Sequence, residues 1–193
     1  VDNLQPVSFK KGLESEEGKI RDMLVINRVE LTLVNQPEQV RKFEGDGATR
    51  PQQNLCEGIR MKIRIRPARP EDRDALGALK LRASLAWGDH VEELQALPEA
   101  RQVPAGHLPS AIVAELDGAI VGFATVLPRG DGEAELEDLF VDPASWRRGI
   151  GARLVEEAEQ RAAALRARSL HVIAHERARA FYERCGFRVV GTA

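Results

Sequence analysis

The sequence predicts an α/β (α+β) fold: a mixed, mostly antiparallel central sheet flanked by helices. Three observations carry that prediction. Two β-rich runs, residues 111–116 (AIVAEL) and 119–126 (AIVGFATV), flank an Asp117-Gly118 pair, which is the chemistry of a two-residue hairpin. A further run at 133–141 (EAELEDLFV) follows a PRGDG turn, so three antiparallel strands come in succession. A helix-patterned stretch over 149–166 then returns the chain to a run at 169–174 (SLHVIA), which places that strand parallel to 133–141.

The other elements follow in chain order. Residues 21–34 (RDMLVINRVELTLV) have the β-branched content of one strand or a short hairpin, between polar, Gly-containing segments, KKGLESEEGK and EGDGATRPQQN, that read as linkers. An isolated two-stranded hairpin is marginal in water, so this piece must dock on something else or stay mobile. Residues 62–67 alternate Ile63 and Ile65 with Lys62, Arg64 and Arg66, the pattern of a strand with one wet face. Pro70 suits a first helical position, Glu71, Asp72 and Asp74 favour the first turn, and Leu76, Leu79 and Ala83 follow at helical spacing, although Arg69 is a poor N-cap. A second short helix (VEELQAL) and a loop fill 84–109. There Trp87, Asp89, His90, Glu92 and Glu93 read either as attraction for an amine cation or as a solvated helix face with Trp87 tucked underneath. The helix over 149–166 aligns Ile150, Leu154, Val155, Ala158, Ala162 and Leu165 on one stripe. A shorter helix over 176–185 aligns Ala178, Phe181, Tyr182 and Cys185; Gly186 suits its C-cap, and 187–190 starts another strand.

With 193 residues, 43% hydrophobic and 30% charged content, the chain has an ordinary globular composition, enough for one domain with an appendage. A formal charge of −2 gives no reason to expect nucleic acid as a partner. No apolar run approaches the roughly 18 residues of a membrane span, and no signal pattern opens the chain, so no membrane partner is expected and the cytoplasm is the default location. Cys56 and Cys185 lie far apart and suggest neither a disulfide framework nor a metal cluster. His171 and His175 are four apart in a strand, too far to share an ion, so no metal site is expected.

The most informative stretch is 141–153, VDPASWRRGIGAR. A strand that ends in an Arg- and Gly-rich loop and opens a helix aims several backbone N–H groups at one point, with the helix dipole behind them, and so favours a phosphate. Arg147 and Arg148 add positive charge, and Gly149 and Gly151 allow close approach to an anion. A dinucleotide fingerprint would need glycine where Leu154 stands, which, with the antiparallel strands ahead of the loop, argues against a dinucleotide-binding oxidoreductase. In its context the loop resembles the acyl-CoA pyrophosphate loop of the GNAT superfamily of N-acetyltransferases, (Gln/Arg)-x-x-Gly-x-(Gly/Ala). Gly149 and Gly151 match, and Trp146 holds the first position.

A second stretch is similar to the same family. Its Asn-x-x-Ala-x-x-Phe-Tyr-Glu-x-x-Gly-Phe pattern is met at Ala178, Phe181, Tyr182, Glu183, Gly186 and Phe187, with His175 in place of Asn. The resemblance covers about residues 61–193, and Met61 opens a segment, MKIRIRPARPED, like the start of many such proteins. It implies a GNAT (acyl-CoA N-acyltransferase) domain over 61–193, preceded by an extension, 1–60, of unknown function. The family normally has one more strand, inserted between the last two read here. The expectation is a truncated sheet, or one completed by another chain, as in a homodimer.

The resemblance further implies acetyl transfer from acetyl-CoA to a primary amine, on a small molecule or a peptide, by direct attack, with no metal. It makes Tyr182 the acid that reaches the CoA sulfur and implies a β-bulge in 133–141 that opens the strand to the pantetheine arm, at Leu139, Phe140 and Val141. Backbone N–H groups from Arg148 through Gly149, Ile150 and Gly151 to Ala152 would hold the pyrophosphate, with Arg147 and Arg148 steering and His175 keeping the hydrogen-bonding task of the usual Asn. Glu137 is the first candidate for a base acting through water and Glu135 the second. By simple alternation both share a side with Leu139 and Val141, opposite Asp138. A non-catalytic acyl-CoA-binding module of the same fold is the alternative.

Overall fold

The computed structural model describes residues 28–34 and 63–192. Asp117 and Gly118 both take positive φ, 51° and 83°, so the hairpin closes through a two-residue turn matched to strand twist. The turn joins β3 (Ala111–Leu116) to β4 (Ala119–Pro128), and β5 (Ala134–Val141) continues the meander. β2 (Arg64–Pro67) pairs antiparallel on the outside of β3. Ahead of α1 (Arg73–Leu85), the Asp72 carboxylate turns back to accept the Arg69 N–H at 2.7 Å. The same carboxylate takes the Arg66 guanidinium at 2.7 and 3.0 Å, while Glu115 accepts Arg66 Nε at 2.7 Å. This group of three charged side chains ties β2 and β3 to the start of α1, and α2 (Val91–Ala96) follows.

The meander is covered on both faces. On one, Leu76 and Leu79 of α1 pack with Val113 and Phe123. On the other lies α3 (Ile150–Ala164), whose Ile150, Leu154, Val155, Ala158 and Ala162 are buried as the stripe predicts. Leu165, placed by the pattern on the same stripe, is exposed because the helix ends at Ala164 and Leu165 caps it. The chain then forms β6 (Ser169–His175), α4 (Arg179–Arg184) and β7 (Arg188–Thr192). No helix among the described residues is long and apolar enough to cross a membrane.

The sheet order is β2-β3-β4-β5-β6-β1-β7. The slot that the sequence left vacant, between the last two strands, is occupied by β1 (Arg28–Val34), which runs antiparallel to both neighbours. Val29 and Leu31 enter the main core and Leu33 packs against it. The expectation of an incomplete sheet is therefore corrected: the region read as a separate extension supplies the strand, because alternating Val29, Leu31 and Leu33 form the apolar face the slot requires. The two linkers lie outside the described residues, as do residues 21–27.

A second correction concerns β5. Asp138 stands opposite Thr125 and Leu136 opposite Val126, so Glu137 is the extra residue of a β-bulge. An extra residue reverses side-chain parity. Ala134 and Leu136 before the bulge, and Leu139 and Val141 after it, pack into the core on the α3 side. Asp138 reaches Lys80 of α1 and Phe140 joins the α1-side cluster. Glu135 thus does not share a side with Leu139 and Val141; it lies on the face of Asp138.

Candidate active site

β5 and β6 run parallel but pair at two positions only, Ala134 with Leu170 and Glu135 with His171. Beyond Glu135 the bulge turns β5 away, and no ladder pair joins residues 136–141 to 172–175. The result is a wedge-shaped gap in mid-sheet with backbone along its sides. On one face Ile150, Val141, Phe181 and Tyr182 pack together. The gap is therefore approached from the α1 face.

At the wide end of the gap, β5 passes into the loop. Asp142 Oδ1 accepts the Ala144 N–H at 3.0 Å, and Oδ2 accepts Arg82 Nη2 at 2.8 Å. The Arg82 guanidinium chiefly holds the Asp142 carboxyl below its usual range. Trp146 Nε1 donates to the Val141 carbonyl at 2.8 Å, folding the indole over the strand end. Gly149 then takes φ 78° as the N-cap of α3, where a Cβ would meet nothing within 4 Å. The Arg153 N–H bonds Gly149 O at 3.2 Å, so the N–H groups of residues 149–152 precede the helical ladder and point out of its end. Arg147 and Arg148 are exposed beside them. Gly151 has a packing role as well: a Cβ there would lie 3.2 Å from the Phe181 ring, so glycine lets α3 and α4 approach.

Tyr182 is 6% exposed, with its ring edge-on to Phe181 and Phe187 at centroid distances of 5.0 and 5.4 Å. Burial, aided by Cys185, pushes its phenol far above the usual range, so it stays protonated at neutral pH. Phe181, beside it on the stripe, is the shallower of the two. His175 ends β6 and caps the next turn: its Nδ1 accepts the Arg177 N–H at 3.1 Å, leaving Nε2 directed at Asp89 Oδ2, 3.5 Å away. Glu135 and Glu137 are half-buried at the narrow end of the gap. Leu139, Phe140 and Val141 form its β5 side.

The place of Trp87 differs from the solvated-face reading of its acidic run. Trp87 is not tucked under α2; its ring stacks on His175 at 5.7 Å and 24°, and stands 5.7 Å from Trp146. Arg177 fastens the same turn, donating to the Trp87 carbonyl at 2.9 Å and pairing with Asp89 at 3.2 Å. Trp87 thus spans the wide end of the gap from the β5 side to the β6 side. Its only advance signal was an aromatic residue within an acidic run. Among the described residues, no group of three or more His, Cys, Asp or Glu side chains is placed to hold a metal ion.

Comparison with known proteins agrees with this fold. Residues 80–187, more than half of the 193, match the sequence profile of the Acetyltransferase (GNAT) family. Among curated proteins none matches. Among solved structures, the GCN5-related N-acetyltransferase (aminotransferase, class II) of Rhodopseudomonas palustris is 28% identical, with a TM-score of 0.53, over 66% of this chain and 82% of that one. PaiA N-acetyltransferase of Thermoplasma acidophilum, solved with coenzyme A, shares the fold at 22% identity and a TM-score of 0.56, over 67% of this chain and 92% of that one. N-acetylglutamate synthase of Neisseria gonorrhoeae, solved with coenzyme A and N-acetyl-glutamate, is similar at 23% identity and a TM-score of 0.50. That likeness covers 64% of this chain but only 28% of the synthase, so the chain spans little more than a quarter of its length.

Proposed function

The chain belongs to the GNAT acetyltransferase family, and from that premise we propose that it is an acyltransferase moving an acetyl group from acetyl-CoA directly to a primary amine. The observation that carries this reading is the gap between β5 and β6, open to one face and ending at the N-terminus of α3. An extended amide-bearing arm fits a gap with backbone on its sides, and a pyrophosphate fits outward N–H groups at a helix start. Residues 148–152 would hold the phosphates, Arg147 and Arg148 would steer them, and Leu139, Phe140 and Val141 would offer main-chain bonds to the arm. The co-substrate supplies an activated acyl carbon: the amine nitrogen bonds to it, the carbon–sulfur bond breaks, and the thiolate leaves needing a proton.

The chain's own groups handle the protons. Glu137 takes one from the amine through water, with Glu135 as the second candidate. Tyr182, protonated in its apolar setting, supplies one to the thiolate. His175 holds the end of β6 in place.

Calorimetry with acetyl-CoA, using Gly149→Glu as control, followed by thiol release with a panel of amines, tests the reading. Saturable binding that the control loses, with thiol release from at least one amine, is expected. A folded chain that does not bind acetyl-CoA would falsify it. The depth of Tyr182 favours a second reading, a binding module without turnover, which predicts binding but no thiol release with any amine and no effect of Tyr182→Phe.

A further inference from the structure

Lys80 is the one lysine after Lys62; every other long cationic side chain over residues 63–193 is an arginine. It lies on α1, and its side chain is 24% exposed. Nζ stands 3.4 Å from Oδ1 of Asp138, a buried carboxylate beside the bulge, and 5.8 Å from the centroid of the Phe140 ring. The ion pair by itself does not explain a lysine here. An arginine would offer a planar fork to both carboxylate oxygens, and Oδ2 of Asp138 has no hydrogen-bond partner among the described residues. What lysine offers and arginine does not is a nitrogen that becomes a nucleophile once it gives up its proton.

The place of that nitrogen gives it a use. Phe140 is on the part of β5 that leaves β6, and α1 stands on the face from which the gap is approached. With its phosphates at the start of α3, an acetyl-CoA arm runs down the gap past Phe140 and carries its thioester toward the bulge, the level of Lys80. We propose that Lys80 is a modification site: acetyl-CoA bound in the gap acetylates Lys80 Nζ of the same chain. The proposal rests on the acetyl-transfer reading, with the chain's own amine as the acceptor. The ammonium first gives a proton to solvent, which reaches the partly exposed side chain. Nζ then bonds to the acyl carbon, the carbon–sulfur bond breaks, and the second proton that the nitrogen sheds balances the one the thiolate takes up. Acetylation removes the charge that faces Asp138 and Phe140, so the modified chain presents a neutral amide on the α1 face of the gap.

The test incubates the full chain with acetyl-CoA and no amine, then maps acetyl groups by peptide mass spectrometry. Lys80 is expected to gain an acetyl group at a rate per chain that does not change on dilution. That rate should exceed the rate at Lys10, Lys11, Lys19, Lys42 and Lys62 by about tenfold or more, because a held amine reacts within one complex. Gly149→Glu should lose that excess, and Lys80→Arg should bind acetyl-CoA yet take up no more acetyl than those other lysines supply. Lys80 marked no faster than they are, or equally fast in Gly149→Glu, overturns the proposal and leaves only adventitious chemical acetylation. A rate that falls with dilution assigns the reaction to collisions between chains and overturns it too. A chain that releases thiol with an added amine but keeps Lys80 unmodified sinks self-acetylation alone. A folded chain that binds no acetyl-CoA overturns the transfer reading and takes the modification with it. Rapidly acetylated Lys80 with no thiol release from any added amine would sustain the proposal and exclude the binding module.

Discussion

The two halves of the sheet are built differently. β2 to β5 form a meander of neighbours in sequence, covered by α1 on one face and α3 on the other. β6, β1 and β7 are assembled from distant parts of the chain: Thr32 of β1 meets His171 of β6 across 139 residues. On their far face Ile173 is exposed. Local hairpins close with little loss of chain entropy, whereas a strand brought from far away must recover that loss through burial. The first half joins strands that follow one another in sequence, the second depends on one inserted strand, both share the core under α3, and the candidate site is the seam between them.

Removing that strand is the severest way to break the comparison. Leu31 is fully buried at the centre of β1. Leu31→Ala should destabilise by about 2–5 kcal/mol, and deletion of residues 1–34 should abolish cooperative unfolding in a urea titration. A deletion variant that unfolded like the full chain would show that the second half stands without β1.

The first half has its own weak point in acid. Arg66 chiefly holds the Asp72 carboxyl below its usual range. A folded pKa below the unfolded value stabilises fully above the ordinary carboxylate range, and that stabilisation is lost as pH falls through the folded value. Asp72→Asn should therefore cost about 3 kcal/mol at neutral pH, as breaking a buried ion pair does. It should cost less in acid, where the wild type loses the same pair. Equal losses in denaturant titrations at both pH values would remove Asp72 from the acid limb.

Trp87 probes the seam. Trp87 and Trp146 are the two tryptophans of the chain, and both stand at the wide end of the gap. Acetyl-CoA should change indole emission, and Trp87→Ala should abolish most of the change and weaken binding up to about tenfold, the worth of an aromatic contact. Unaltered emission at saturating acetyl-CoA would separate Trp87 from the gap.

Glu133→Gln should have the smallest effect. The Ser169 hydroxyl at 2.9 Å, and secondarily His171, hold this carboxyl below its usual range across the closed end of the seam. A slight fall in Tm near neutral pH, vanishing in acid, is expected; a larger fall in acid would reverse the sign of the linkage.

The meander, the glycine-led turn into α3 and the α3 stripe were legible because each is a local pattern: a turn pair with positive φ, a glycine at a helix start, apolar residues at helical spacing. The faces of β5 were not. Glu135 parts from Leu139 and Val141 because Glu137 adds a residue, and a register change is set by the partner strand. The stacking of Trp87 on His175 joins residues from two turns that meet only in the folded sheet.

By itself the sequence determined the family, the order of elements over 61–193 and the glycine-led turn into α3, all consequences of backbone preference and periodicity over short spans. Only the tertiary structure decided that Arg28–Val34 fills the sheet, that Tyr182 lies in the core and that Asp138 faces Thr125 across β5 and β4. Those outcomes depend on which surfaces exclude water together, and exclusion of water is a property of the packed whole.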